Sequence, residues 1–324
     1  MQIETSENRQ PEGQKHTRAI IIANPTAGSY EHNRLQIQET VSFLNERGWD
    51  AELRLTTGPG DGGKLAQEAV EQKYDAVIAV GGDGTINEVI QKLAGSETAL
   101  GVLPSGTINV WAREVGIPLE NEGARDVLVN GQVRRIDLGH VNERYFLLMA
   151  SLGLDAEITH AVEKKPVKKW GVLSYLFLGT WLGLGYPNFT VFIQKGERTI
   201  RARAIQIIFG NTQLYAGTLK FTWRAKCDDG KLDLALVYSQ DLLGRLRVML
   251  DFLLRRRDRQ RWVRYDSIEE VKIHTNAPVA IQVDGDPEGR TNKRGFPGTI
   301  FRIVPGTLKV IVPKVLPEDL FSQP

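Results

Sequence analysis

From Arg18 to about Val115, apolar runs and amphipathic segments take turns, and this alternation restricts the fold more than any other feature of the chain. RAIIIA at Arg18–Ala23 is a continuous apolar run, as in a strand buried on both faces. Ile37, Val41 and Leu44 then recur at helical spacing. Asp50–Leu55 alternates as a strand, Lys64–Gln72 reads as a helix and Ala76–Val80 as another buried strand. Ile86, Val89, Ile90 and Leu93 mark a further helix, Leu100–Leu103 a fourth strand and Asn109–Val115 a helix. Alternation of this kind requires a parallel sheet with helices packed on its faces.

The pattern changes near Arg135, after which strands follow strands. Arg135–Val141, Tyr145–Met149, Thr190–Gln194, Ala202–Phe209, Leu232–Tyr238, Val271–Thr275 and Val279–Val283 are separated by turn residues such as Lys195-Gly196 and Asp229-Gly230. Short strands so spaced predict an antiparallel sandwich or barrel. Two helices, Lys168–Gly185 and Asp241–Trp262, are expected to interrupt it, and Thr299–Val312 alternates again. The expected division is a disordered leader over 1–17, an α/β domain over 18–135, a β-sandwich over 136–304 and a segment over 305–324 that returns to the first domain.

Composition removes several classes. With Lys+Arg 41 against Asp+Glu 39, the net charge of +2 is too balanced for a dedicated nucleic-acid binder. The single cysteine, Cys227, excludes an intrachain disulfide framework. The polar N-terminus holds no apolar run, so no secretory signal is expected and the location read from the sequence is cytoplasmic. Between Lys169 and Lys195 no residue is charged, but the helical part, Trp170–Gly185, is short against the roughly 20 residues of a spanning helix. It reads as a buried or interfacial helix.

Three loops share one design. Asn24-Pro25-Thr26-Ala27-Gly28 follows RAIIIA, Gly81-Gly82-Asp83-Gly84-Thr85-Ile86-Asn87-Glu88 follows AVIAV, and Pro104-Ser105-Gly106-Thr107-Ile108-Asn109 follows ALGVL. Each stands at the carboxyl end of an expected parallel strand, where open α/β sheets bind ligands. Helix N-termini there attract phosphate, glycine lets backbone approach it, and Thr26, Thr85 and Thr107 add hydroxyls. No G-x-G-x-x-G follows the first strand, where a dinucleotide fingerprint would stand, and no G-x-x-x-x-G-K-[ST] is present, which excludes a P-loop. Asp83 among the glycines would repel phosphate unless a cation lies between them, which points to Mg2+.

These blocks resemble the diacylglycerol-kinase catalytic family, in particular its bacterial soluble branch, which is related to the sphingosine and ceramide kinases. NPTAG, GGDGTINEV at Gly81–Val89, PSGTIN, IDLG at Ile136–Gly139, DDGKLDL at Asp228–Leu234 and VDGD at Val283–Asp286 follow in the family's order, from about Arg18 to Pro313. The resemblance implies an ATP- and Mg2+-dependent lipid kinase with its site in the cleft between the two domains. By position, Asn24, Pro25, Thr26, Ala27, Gly28, Thr56, Gly82, Gly84, Thr85, Ile86, Asn87, Glu88 and Thr107 would hold the nucleotide. Asp83 and Asp137 would belong to an acidic network around the catalytic Mg2+. A second Mg2+ would take the Asp229 side chain and the carbonyls of Lys226 and Lys231. Asp286, or Asp284, would accept the proton of the lipid hydroxyl. Two positions depart from the pattern: Val110 stands where the family usually has Asp, and Asp286 where it usually has Glu.

A lipid substrate implies work at a bilayer surface. Leu242, Leu246, Met249, Leu250 and Leu253 recur at helical spacing beside an arginine cluster from Arg245 to Arg264, as in a basic amphipathic helix, or equally in a surface helix packed on the sandwich. The helix with Trp170, Tyr175, Phe177 and Trp181 would line an acyl-chain pocket or simply fill core. Edge strands in the β half offer a route to a homodimer. Two other functions share these features: a soluble-metabolite kinase of the NAD-kinase type, and a nucleotide- or lipid-binding regulator without turnover.

Overall fold

The structure is a computed structural model, and it describes residues 17–25, 30–163, 185–215, 219–238, 241, 243–245, 247, 251 and 262–322. Residues 1–16 of the expected leader, Thr26, Ala27 and Gly28, and most of the helices expected at Lys168–Gly185 and Asp241–Trp262 lie outside these residues, and Thr17 belongs to the first strand.

The first half alternates as the apolar pattern requires. It runs β1 (Thr17–Ala23), α1 (Tyr30–Asn45), β2 (Trp49–Leu55), α2 (Asp61–Glu71), β3 (Ala76–Gly81), α3 (Asp83–Leu93), β4 (Ala99–Pro104), α4 (Val110–Val115) and α5 (Asn121–Asn130). The four strands are parallel, in the order β2-β1-β3-β4. Every residue of β3 and β4 is buried, because helices cover both faces of the sheet. Ile86, Val89, Ile90 and Leu93 form the apolar stripe of α3 and sink into the same core as Ile20–Ile22 and Val77–Ile78. α5 breaks the sequence expectation: its Ala124, Val127 and Leu128 give too short an apolar stripe to announce a helix.

The second half is antiparallel. It comprises β5 (Gln132–Val141), β6 (Arg144–Phe146), β7 (Met149–Gly153), α6 (Leu154–Glu163), β8 (Phe189–Lys195), β9 (Arg198–Gly210), β10 (Leu214–Tyr215), β11 (Leu219–Lys220), β12 (Leu232–Tyr238), β13 (Val263–Ile268), β14 (Glu270–Thr275), β15 (Ala280–Val283), β16 (Asp286–Arg290) and β17 (Thr299–Val312). The strand expected at Tyr145–Met149 is split into β6 and β7, and Leu147 and Leu148 turn between them. The inward faces of β7, β8, β9, β12, β14 and β15 share a second core around Phe209 and Phe301, whose rings stack at 4.0 Å.

β17 joins the halves. Its first residues pair with β14, its last pair in parallel with β4 at Lys309↔Ala99, and β5 runs antiparallel along both parts. The register shifts between Val304 and Leu308, where Gly306 has φ 58°. Such a bulge re-aims a strand from one layer to the next. The molecule is thus an α/β layer with a parallel sheet, continued into an antiparallel β-sandwich. Among the described residues no helix is long and apolar enough to cross a membrane.

Candidate active site

Sheet growth reverses between β1 and β3, and the position outside their carboxyl ends is where open α/β sheets place ligands. Asn24 and Pro25 leave β1 on one side of it, and Gly81–Thr85 leaves β3 on the other. Gly82 is extended (φ −93°, ψ −170°) and starts α3 without a side-chain cap, so amides of the first helical turn face the mouth. The third loop presses against the second. A Cβ on Gly106 would stand 2.5 Å from Gly82 Cα and 2.8 Å from Asn109 Oδ1. Asn109, at φ 52°, closes its own loop by accepting from Gly106 N–H (2.9 Å) and donating to Gly106 O (2.8 Å).

Asp83 staples these loops together. Its carboxylate accepts the amides of Val110 (3.0 Å) and Trp111 (3.2 Å), which begin α4. Burial raises its pKa and outweighs these bonds. A carboxylate has about four acceptor positions, so Asp83 retains acceptor capacity beyond these two amides. Mg2+ characteristically takes one or two carboxylates plus phosphate oxygens, and that chemistry fits Asp83.

The other residues of the second loop divide by direction. Thr85 packs on Gly81, where a Cβ would meet its Oγ1, and the Ile86 side chain is in the core. Thr107 is exposed at the loop tip, and buried Thr56 continues β2 by donating its amide to Ala23 O at 3.0 Å. Glu88 turns to the neighbouring helix α2. Both of its oxygens accept backbone amides, from Gly60 (2.9 Å) and Gly62 (3.1 Å), and so hold the N-terminus of α2. A carboxylate so placed anchors the loop, and its charge would oppose phosphate. The Asn87 side chain is buried and donates to Asp286 Oδ2 at 3.0 Å, 199 residues along the chain.

That bond joins the glycine-loop helix to the DGD turn. Asp286 opens β16, and its Oδ2 also accepts Arg144 Nη2 at 2.6 Å; the other arm of Arg144 reaches Glu288 at 3.2 Å. Asp284 does something different. It sits at φ 48° with its carboxylate turned inward onto the amides of Leu147 (2.7 Å), Leu148 (2.9 Å) and Met149 (2.9 Å). Burial pushes it up to about 6 against those three donors. Its oxygens are engaged, so Asp284 pins the turn and Asp286 is the carboxylate presented outward.

Asp137 does not join Asp83. Its oxygens accept Gly230 N–H (2.6 Å), in the DDG turn, and Gly306 N–H (2.7 Å), in the β17 bulge. Among the described residues no group of three or more His, Cys, Asp or Glu side chains is gathered as a metal site. Each carboxylate instead collects backbone amides from other loops, Val110 and Trp111 for Asp83, Gly230 and Gly306 for Asp137. Asp137 does sit near the turn with Lys226, Asp229 and Lys231. Burial raises Asp229, and the neighbouring charges of Asp137 and Asp228 raise it further. Crowded carboxylates on a tight turn suit a hard divalent cation.

Sequence reasoning missed a polar belt behind the site. Asn211, Thr212 and Gln213 are fully buried directly after β9. Asn211 Nδ2 donates to the carbonyls of Asp137 and Leu147, both at 2.9 Å, and Glu114 on α4 accepts the amides of Gln213 and Leu214, both at 2.8 Å. Asp155, fully buried on α6, accepts from Tyr215, Ser151 and Gln282, and Gln282 Oε1 takes the Gly285 amide of the DGD turn. The available signal was GNTQ after the apolar run AIQIIF, a polar cluster too abrupt for an ordinary loop.

The fold, with phosphate-ready loops on one half and an outward carboxylate on the other, belongs to a class of kinases. The pattern described as "Diacylglycerol kinase catalytic domain" matches residues 18–141, and "YegS C-terminal NAD kinase beta sandwich-like domain" matches residues 149–312. A diacylglycerol kinase of Bacillus subtilis (strain 168) is 30% identical over 306 residues, covering 94% of this chain and 99% of its own. One of Staphylococcus saprophyticus is 28% identical over 275 residues, covering 84% of this chain and 90% of its own. A solved Bacillus anthracis structure shares the fold with a TM-score of 0.77 at 23% identity, covering 94% of this chain and 98% of that one. The chain belongs to the diacylglycerol kinase family, a family of lipid kinases.

Proposed function

We propose that the chain transfers the γ-phosphate of ATP to the hydroxyl of a diacylglycerol-like lipid at a membrane surface. The hydroxyl oxygen attacks the γ-phosphorus, the bond to the ADP oxygen breaks, and the hydroxyl proton passes to Asp286. The single observation that carries this is the 3.0 Å bond from Asn87 to Asp286, which ties the helix at the phosphate mouth to the carboxylate of the sandwich.

The roles follow from placement. Asn24 and Pro25, with Gly82, Gly84 and Thr85, frame the phosphates, and Thr107 stands over them from the third loop. Asp83 would hold a Mg2+, which when bound neutralises charge on the phosphate oxygens. Phosphoryl transfer runs through a loose transition state, so alignment of the acceptor matters more than the strength of the base. A carboxylate presented on a strand end supplies that alignment. Asp229, with the carbonyls of Lys226 and Lys231, would hold a second, structural cation.

ATP-dependent labelling of dioleoylglycerol in mixed micelles, run beside a mixed lipid extract, tests the assignment. Asp286→Asn, which cannot take the proton, is expected to lose roughly 10²–10⁴-fold in kcat. Label entering only a soluble nucleotide, or no product from the unaltered protein, refutes the reading.

A further inference from the structure

The oxygens of Asp286 are used unequally. Oδ2 accepts two hydrogen bonds, from Asn87 Nδ2 at 3.0 Å and Arg144 Nη2 at 2.6 Å, while Oδ1 accepts none among the described residues. The Asn87 amide has its orientation set one turn further along α3, where Gln91 Nε2 donates to Asn87 Oδ1 at 3.1 Å. Gln91 in turn is locked to the backbone of Tyr145. Its Oε1 accepts Tyr145 N–H at 3.0 Å, and its Nε2 donates to Tyr145 O at 2.9 Å. Tyr145 follows Arg144 in β6, and Arg144 returns to Asp286. The circuit is closed.

We infer that Gln91 and Arg144 are positioning residues for phosphoryl transfer, closing with Asn87 a ring of hydrogen bonds that clamps Asp286 Oδ2 and leaves Oδ1 to receive the hydroxyl proton. This rests on the assignment of Asp286 made above. Each link has one sense. Gln91 fixes which end of the Asn87 amide faces Asp286, because an amide turned over would set its NH2 against the Gln91 NH2 as well as its carbonyl oxygen against the carboxylate. Arg144 binds in a fork, one arm on Asp286 and one on Glu288. When Asp286 becomes neutral on taking the proton, Glu288 still balances the guanidinium, so Arg144 has no reason to leave. The ring also makes the base answer to the nucleotide half, since α3 carries both the phosphate-facing first turn and Asn87.

The test compares Arg144→Gln, Arg144→Lys, Gln91→Ala, Asp286→Asn and the double variant R144Q/D286N on ATP and dioleoylglycerol. R144Q and Q91A are expected to lower kcat roughly 10- to 100-fold, the scale of a 1 Å misplacement. The KM for ATP should stay within about twofold, because neither residue belongs to the phosphate mouth. R144K, which keeps the charge but not the fork, should recover part of the loss. R144Q/D286N should be no slower than D286N, since a residue acting through Asp286 has nothing left to position. Multiplying losses in the double variant, or a loss confined to the KM for ATP, overturns the inference. If the unaltered protein labels no lipid, the proposed function fails, and the ring is decided by thermal unfolding: less-than-additive Tm losses of R144Q and D286N support it, and additive losses overturn it.

Discussion

Two glycines in neighbouring loops should respond to alanine in opposite ways. Gly84 lies in the first turn of α3, and an added Cβ meets nothing within 4 Å. Alanine is preferred to glycine inside a helix by about 0.5–1 kcal/mol, so Gly84→Ala should unfold at the same temperature or slightly higher. The open space beside it is where the proposed ATP phosphates approach. A methyl group there should weaken ATP by about tenfold or more, equivalent to about 1.4 kcal/mol. Gly106 is the opposite case. Its Cβ would stand 2.5 Å from Gly82 Cα, well inside the 3.4 Å at which ordinary contact begins. One loop must then retreat by about 1 Å, and overpacking of this kind costs about 1–3 kcal/mol. Gly106→Ala should therefore lose stability and ATP affinity together. Thermal unfolding of both variants, with calorimetric titration of ATP, separates the two effects. A Gly84→Ala protein that binds ATP as the unaltered protein does would falsify the placement of phosphate over α3.

Two other perturbations have calculable signs. Burial pushes Glu114 from its ordinary 4.5 up to about 7; the folded state then keeps a proton that the unfolded chain releases, so this contribution is complete below about pH 4.5 and is lost as pH rises through 7, by roughly 3 kcal/mol at most. Glu114→Gln should flatten the pH dependence of urea unfolding between about pH 5 and 7.5, and an unchanged slope would count against the buried acid. Mg2+ without nucleotide should raise the unfolding temperature of the unaltered protein by mass action but not that of Asp229→Asn; equal shifts in both place the cation elsewhere.

The fold was legible wherever one apolar period ran uninterrupted. RAIIIA, AVIAV and the Ile86–Leu93 stripe announce their elements because burial on both faces, or on one stripe, leaves little choice of residue. α5 and the β6–β7 break were hidden because their stability comes from tertiary partners: Leu128 packs into the common core, and the turn at Leu147–Leu148 exists because Asp284 collects its amides. At the site, spacing located the loops but not the direction of their side chains. Asn87 and Glu88 adjoin each other in a motif that reads as phosphate-binding, yet one points across the cleft to Asp286 and the other back to Gly60 and Gly62. Consecutive helical residues are about 100° apart, so a linear motif that straddles a helix start serves several surfaces at once. Arg144 and Gln91 carried no signal, since an arginine in a short strand and a glutamine on a polar helix face are ordinary there.

That divergence explains how a shortened side chain can be accommodated at the proposed base position. Asp286 reaches one methylene less far than glutamate would, and a shorter side chain must be aimed by something other than its own length. Oδ2 is clamped from the nucleotide side by Asn87 and from the acceptor side by Arg144, so the reach of Oδ1 is set by the separation of α3 and β16 rather than by side-chain flexibility. Held at two points, a short carboxylate loses less rotamer entropy on reaching the reactive geometry than a longer free one. Val110 fits the same logic. Its backbone amide, not its side chain, engages Asp83, so the third loop stays attached to the second without an acid at that position. The two departures from the family's motif therefore fall where backbone amides and neighbouring side chains hold the geometry.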